Sequence, residues 1–190
     1  MSNGGGGMLH TISVLVEDKP GVLTRIAGLF SARGFNIDSL AVGSTETDGL
    51  SRMTIVINVE SKPLEQVTKQ LNKLINVIKI LEHEPGSAVE RELMLVKVRA
   101  SGDDRARVME IAEVFRVNIV DVTASTLTLE ATGKPDKLEA LLSLLDDFGI
   151  VELSRTGRIA LGRGDTAIRE KGRRTRLAVA GGDDYSGGGV

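Results

Sequence analysis

The sequence predicts an α+β protein built from two ferredoxin-like βαββαβ domains, and three observations support this. Strand-like and helix-like stretches alternate in the order βαββαβ up to about residue 84. The same order begins again near residue 92. The halves also share short stretches: Phe30 and residues 36–38 (NID) correspond to Phe115 and residues 118–121 (NIVD). A repeat at about 80 residues indicates two copies of one small domain.

Each element of the first half is predicted from the spacing of its apolar residues. Residues 9–16 and 50–59 are expected to be strands, as is the extended run 35–42. The polar stretch GSTETDG at 43–49 predicts a hairpin loop. Spacings of three and four residues predict a helix after Pro20 and a second one that Pro63 opens and Asn76 ends. A fourth strand at 77–82 completes the unit.

The second half repeats this pattern. Strands are predicted at residues 92–100, 117–122 and 125–131, with one last strand at 150–160. Helices are predicted after Ser101 and from Pro135. The expected organisation is therefore a flexible N-terminus (1–7), a first domain (8–84), a linker (85–91), a second domain (92–165) and a disordered tail (166–190).

Helices that cover one side of a sheet leave its other side and its edges open. Apolar residues left there invite pairing with another domain. We therefore expect a homodimer or a higher oligomer.

The composition argues against several classes of function. The chain has 190 residues, is 41% hydrophobic and carries a formal net charge of −2, which favours neither nucleic acid nor membrane as a general partner. It contains no cysteine, which excludes disulfides, thiolate metal sites and a cysteine nucleophile. Neither a transmembrane segment nor a signal peptide is recognisable, so a cytoplasmic protein is expected.

No recognisable motif for catalysis or RNA binding is present. His10 is best explained as a strand residue, and Asp103-Asp104 as the charged start of a helix. The central strands lack the aromatic residues with which RNA-binding domains of this topology stack bases. We therefore expect no catalytic residue and no metal site.

The stretch from Glu17 to Leu23, where the first strand gives way to the first helix, carries the main functional signal. Pro20 is expected at the first helical position, and Gly21 leaves the backbone N–H groups of that turn accessible. The carboxylate of a free amino acid suits such N–H groups, while Asp18 or the amide oxygen of Asn36 is able to accept from its ammonium. A plain helix start explains Pro20-Gly21 equally well at this point.

Several motifs in the same order resemble the ACT domain and the second domain of the small, regulatory subunit of acetohydroxyacid synthase, also called acetolactate synthase. In the first half they are EDKPGVLTR (17–25), LFSARGFNIDSL (29–40) and LSRMTI (50–55). In the second half they are VERELMLVKV (89–98), FR (115–116), NIVDV (118–122) and GRGD (162–165). The likeness covers about residues 8–165.

The resemblance implies a non-catalytic partner in branched-chain amino-acid biosynthesis. Family members activate a catalytic subunit, on which thiamine diphosphate, Mg and FAD are expected, and make it sensitive to feedback by valine. No cofactor is expected on this chain. The resemblance places the effector between two ACT domains, near Asp18, Gly21, Val22, Leu23, Asn36 and Ile37.

The sequence departs from the family pattern in two places, and two alternative functions remain. Some members carry an amide where Asp18 stands, and the glycine-rich, basic stretch at the C-terminal end matches nothing in the family pattern. A stand-alone ACT-type amino-acid sensor controlling another protein is one alternative. An enzyme in its own right is the other.

Overall fold

A computed structural model describes residues 8–59 and 64–168. The first half comprises β1 (Met8–Glu17), α1 (Val22–Ala32), β2 (Asn36–Ser44), β3 (Leu50–Val59), α2 (Leu64–Leu71) and β4 (Val77–His83). The second half begins with β5 (Ala88–Arg99), α3 (Asp103–Phe115), β6 (Asn118–Val122) and β7 (Thr126–Gly133). It continues with α4 (Pro135–Leu145), a 3₁₀ turn (Asp146–Phe148), β8 (Ile150–Arg155) and β9 (Ile159–Gly162).

Both halves form the predicted antiparallel sheet. The strand order is β2-β3-β1-β4 in the first and β6-β7-β5-β8 in the second, which is the same arrangement. A β-bulge also recurs, between Ile37 and Ser39 in β2 and between Ile119 and Asp121 in β6. The predicted fold class and internal repeat are therefore confirmed.

Each sheet packs its helices against one face. In the first half, alternate residues of β1 and β3 meet the apolar stripes of α1 and α2 in a core formed by Ile12, Val14, Val16, Val22, Ile26, Leu29, Phe30, Met53, Ile55, Ile57, Val67 and Leu71. The second core is built in the same way from β5, β7, α3 and α4. Burial of these side chains, at about 1.5–3 kcal/mol for each large one, is the main stabilising term.

The boundary between the halves differs from the prediction. β5 begins at Ala88, so residues 88–91 of the expected linker form strand and pair with β9. The single strand expected at 150–160 is instead two strands, β8 and β9, which pair with different parts of β5. The break lies at Gly157, whose backbone packs tightly against Leu40 of β2. This contact with the first half separates β8 from β9, which pairs with the start of β5 as a fifth strand of the second sheet.

The face of the first sheet opposite its helices is partly covered by the same chain. Ile168 is buried there against Leu15 and Leu50, although residues 166–168 were expected to belong to the tail. The remainder of the predicted tail, the predicted N-terminal segment and Pro63 lie outside the described residues. Within the described ranges, no helix is both long enough and apolar enough to cross a membrane.

The helix α2 is shorter than predicted. It ends at Leu71, five residues before Asn76. Ile75, which lies within the predicted helix, is 89% exposed. Asn76 is buried instead, where its amide joins Glu17 to Arg25. A hydrogen-bonding role therefore replaces the predicted role as a helix end.

Candidate functional site

The helix α1 starts differently from the prediction at Pro20. It begins at Val22, and Gly21 is its N-cap residue with φ 83° and ψ −5°. The Val22 N–H donates to the Lys19 carbonyl at 3.3 Å, which closes a turn with Pro20 and Gly21 in its centre. These are the residues and angles of a type II turn, which needs a positive φ at its third position. Placing Pro20 at the first helical position was therefore wrong, because the tight turn comes first.

The first turn of α1 is open towards solvent. Arg25 N–H donates to the Gly21 carbonyl at 3.0 Å, whereas no acceptor among the described residues meets the N–H groups of Leu23 and Thr24. Apart from its two chain neighbours, no described residue has an atom within 4 Å of the position that a Cβ on Gly21 would take. The first turn also contains no acidic residue. Free N–H groups and an uncompensated helix dipole therefore face a space that a small anion can reach.

Two hydrogen-bonded connections hold this helix start in place. Asp18 N–H donates to the Gly49 carbonyl at 2.8 Å and so ties the loop to the β2–β3 hairpin. Arg25 donates to the Asn76 Oδ1 at 2.8 Å, and the Asn76 amide donates to the Glu17 carboxylate at 2.6 Å. The Asn76 bond and the Lys19 ammonium lower the pKa of Glu17, which keeps this carboxylate ionised. The position of the open turn is thus fixed from both sides.

The predicted site residues beside Gly21 have different surroundings. The Asp18 side chain is exposed, and Leu23 is 43% exposed. Val22 is buried in the first core. Asp18 and Leu23 are therefore available to a ligand or a partner, whereas Val22 anchors the helix start.

Asn36 and Ile37 lie at the opposite end of the sheet. Asn36 pairs with Asn58 of β3, while Leu50 at the other end of β3 pairs with Glu17, just before α1. Eight residues of strand separate the two positions by about 26 Å. One chain therefore does not bring Asn36 and Gly21 together.

The Asn36 side chain is exposed at the start of β2. Its amide nitrogen donates to Asp38 Oδ1 at 3.1 Å, which leaves the amide oxygen facing solvent. Ile37 is half-buried and packs against the first core. β2 is an edge strand of its sheet, so both residues lie where a second chain is able to pair.

The equivalent helix start in the second half is chemically different. Gly102 has φ 55° and ψ −131°, and Asp103 and Asp104 occupy the first turn of α3. Their carboxylates already complement the helix dipole and repel another anion. The open start is therefore a property of α1.

The sequence interpretation missed the residues that connect β2 to the second half. Arg158 N–H donates to Ser39 Oγ at 2.7 Å, and Gly157 packs on the backbone of Leu40. The glycine within the expected strand 150–160 was the available signal, because glycine in a strand marks a close backbone approach.

The two antiparallel βαββαβ sheets, with an open helix start in the first, define an ACT-domain protein. A family profile described as the AHAS small subunit-like ACT domain matches residues 12–79, and one described as the small subunit of acetolactate synthase matches residues 91–164. The chain belongs to the acetolactate synthase small-subunit family, as its motifs suggested.

Individual relatives agree with this assignment. The acetolactate synthase small subunit of Mycolicibacterium smegmatis is 58% identical over 168 residues, covering 88% of this chain and 98% of the relative. The probable acetolactate synthase small subunit of Archaeoglobus fulgidus is 54% identical and covers 83% and 99% of the two chains. The crystal structure of the small subunit from Thermotoga maritima superposes with a TM-score of 0.78 at 40% identity, covering 84% of this chain and 99% of that one.

Proposed function

We propose that this chain is a non-catalytic regulatory subunit that activates the acetolactate synthase catalytic subunit and makes it sensitive to valine. Valine binds across a homodimer of the first domains. The observation that carries the proposal is the open first turn at Gly21, held about 26 Å along the sheet from Asn36. In one chain the two halves of the site lie apart, and only a dimer brings a Gly21 turn and an Asn36 together.

Pairing of two β2 edge strands explains how the halves meet. Ser44 at the end of β2 pairs with Ser51, next to Leu50 and thus at the end of the sheet where α1 begins. In an antiparallel pair of β2 strands about a two-fold axis, Asn36 of one chain lies opposite the Ser44 end of the other. Asn36 and Ile37 then approach the Gly21 turn of the partner.

The chemistry of the proposed site fits an amino acid with a small apolar side chain. Its carboxylate accepts from the open N–H groups at Leu23 and Thr24, and its ammonium donates to Asp18 or to the Asn36 amide oxygen. Leu23 and Ile37 offer apolar contacts at the two ends. Valine carries all three groups.

The magnitudes favour enclosure between two chains. Binding at millimolar to micromolar concentration needs about −4 to −8 kcal/mol. A helix terminus contributes about 0.3–2 kcal/mol, and charge-assisted hydrogen bonds add about 1.5–3 kcal/mol each. Several such bonds, together with burial of an apolar side chain, are therefore needed.

Regulation follows from differential affinity. If valine binds one geometry of the paired first domains better than another, it shifts the population towards that geometry, and the attached catalytic subunit responds. In this proposal the thiamine diphosphate, Mg and FAD belong to the catalytic subunit. The chain itself binds the effector and acts in the cytoplasm.

Reconstitution tests the proposal. The catalytic subunit is titrated with the full chain, and acetolactate formation is followed with and without valine. We expect activity to rise to a plateau and valine to lower that plateau. Failure of the two proteins to form a complex would favour a stand-alone amino-acid sensor, and acetolactate formation by this chain alone would contradict a non-catalytic role.

A further inference from the structure

A cavity of about 250 Å³ lies on the face of the first sheet that α1 and α2 leave uncovered. Three neighbouring strands form one wall with Ser13 of β1, Arg52 of β3 and His83 of β4. The opposite wall comes from residues 161–162 of β9 and from residues 166–168. Both halves of the chain therefore build the cavity, and none of the six residues of the predicted effector site lines it.

The Arg52 guanidinium lines this cavity without a hydrogen bond or an ion pair to the described part of the chain. Its Nε is shielded from solvent. Burial lowers the pKa of Arg52, while the Glu46 carboxylate at the cavity rim opposes that shift. A partly desolvated cation without a hydrogen-bonded counterion is unfavourable. Glu46 makes no hydrogen bond or ion pair with Arg52 among the described residues, so the guanidinium is able to donate to an anionic ligand.

A neutral polar pair stands beside this cation. His83 Nε2 lies 2.8 Å from Ser13 Oγ, and both residues are buried. Burial is the main cause that lowers the pKa of His83, with Arg52 adding to it and Glu90 opposing it. The imidazole is consequently neutral at pH 7 and able to share hydrogen bonds without adding charge.

The rest of the lining is mainly apolar and sets the size of an occupant. Leu81, Leu161, Ala167 and Ile168 line the cavity. Its volume of about 250 Å³ is below the range of about 300–1,000 Å³ that is typical of sites for drug-sized ligands. An occupant must therefore be a small anion with a short apolar part.

We propose that this cavity is a second ligand site, which binds a small aliphatic carboxylate through the Arg52 guanidinium. The planar guanidinium donates two parallel hydrogen bonds to a carboxylate, a geometry that an ammonium does not offer. The aliphatic part packs against Leu81 and Ile168. Because the walls come from both halves, an occupant also stabilises their contact.

Calorimetry on the full chain with isobutyrate tests the site. We expect saturable binding of isobutyrate and none of isobutyramide, which has the same shape without the charge. Arg52→Gln should weaken isobutyrate binding at least about tenfold, because it removes a charge-assisted contact. The matched control is Lys79→Gln, which removes an exposed positive charge from the same sheet face outside the cavity and should leave the affinity unchanged.

Nuclear magnetic resonance on the unmodified chain gives a readout that does not depend on a variant folding. Isobutyrate should shift the ring resonances of His83 and leave those of His10 in place. An absence of binding, equal binding of isobutyramide, or unchanged affinity in a folded Arg52→Gln protein would each overturn the proposal. Gly21→Asp separates the two sites: it should retain isobutyrate binding, and simultaneous loss of valine and isobutyrate binding would show that the probe occupies the effector site.

Discussion

The backbone N–H of Arg158 donates to the side-chain oxygen of Ser39 at 2.7 Å, across 119 residues of sequence. Ser39 follows the bulge in β2, two residues after Ile37. Arg158 also reaches Glu92 at 3.4 Å and Glu90 at 3.6 Å, so its side chain is tied to β5. The turn between β8 and β9 therefore connects the strand that carries Asn36 and Ile37 to the second half.

Gly157→Ala tests this connection. A Cβ at Gly157 would lie 2.2 Å from the Leu40 carbonyl oxygen, so the turn must move away from β2. We expect the free energy of unfolding to fall by about 1–3 kcal/mol, as in other overpacked sites. Valine should still bind, but the inhibition that it causes in the reconstituted enzyme should weaken about fivefold or more.

A glycine within α1 provides the control for that substitution. Apart from its chain neighbours and its own helix, no described residue has an atom within 4 Å of the Cβ position of Gly28, and its backbone does not need glycine. Gly28→Ala should leave inhibition close to normal and stability unchanged or slightly higher. Normal inhibition in Gly157→Ala would show that the β8–β9 turn does not transmit the effector signal.

Gly21→Asp is expected to abolish inhibition by valine while activation of the catalytic subunit survives. The new carboxylate would stand at the helix start, where the effector carboxylate is proposed to bind, and like charges repel. Inhibition curves of the reconstituted enzyme measure the effect, and retained valine sensitivity would remove Gly21 from the site.

Gly21→Asn separates the charge from the backbone strain in that experiment. A side chain at φ 83° is strained in both variants, and Asn and Asp tolerate this region better than other residues. We therefore expect the Asn variant to retain part of its valine response. Equal losses in both variants would assign the effect to the backbone.

Asn36→Ala should weaken valine binding about tenfold or more, because it removes an acceptor for the ammonium. Isothermal calorimetry on the full chain measures this. Asn118, which occupies the equivalent position in β6 and donates to Glu130 at 3.2 Å, supplies the control. If Asn36→Ala and Asn118→Ala bind valine equally well, Asn36 is not part of the site.

The sequence was sufficient for the fold because alternating and helical apolar spacings are local signals. They located the strands β1 to β7 and the internal repeat, since a half-buried strand shows alternating apolar residues and a helix shows spacings of three and four. The errors arose where a contact with a residue far away in the sequence determines the local structure. Gly157 breaks a strand because it meets Leu40, and Ile168 is buried because it meets Leu15.

The candidate site shows the same limit. Gly21 and Asn36 were recognisable from their chemistry, but their separation depends on strand register. Pro20-Gly21 suits both a helix start and a type II turn, and the local sequence does not distinguish them. Arg52 and His83 gave no local signal, because only the sheet and the residues after β9 bring them together.

The buried imidazole of His83 makes stability depend on pH. Its pKa in the folded chain is lowered from the ordinary value of 6.5, chiefly by burial, so the unfolded chain takes up a proton at a higher pH than the folded chain does. The free energy of unfolding should therefore be unaffected by this group well above pH 6.5 and should fall as the pH drops from 6.5 towards the folded pKa. Urea denaturation at a series of pH values measures the slope. The His83→Gln protein should lose this part of the pH dependence, whereas the His10→Gln protein should keep it. A slope in His83→Gln equal to that of the unmodified chain would contradict the assignment.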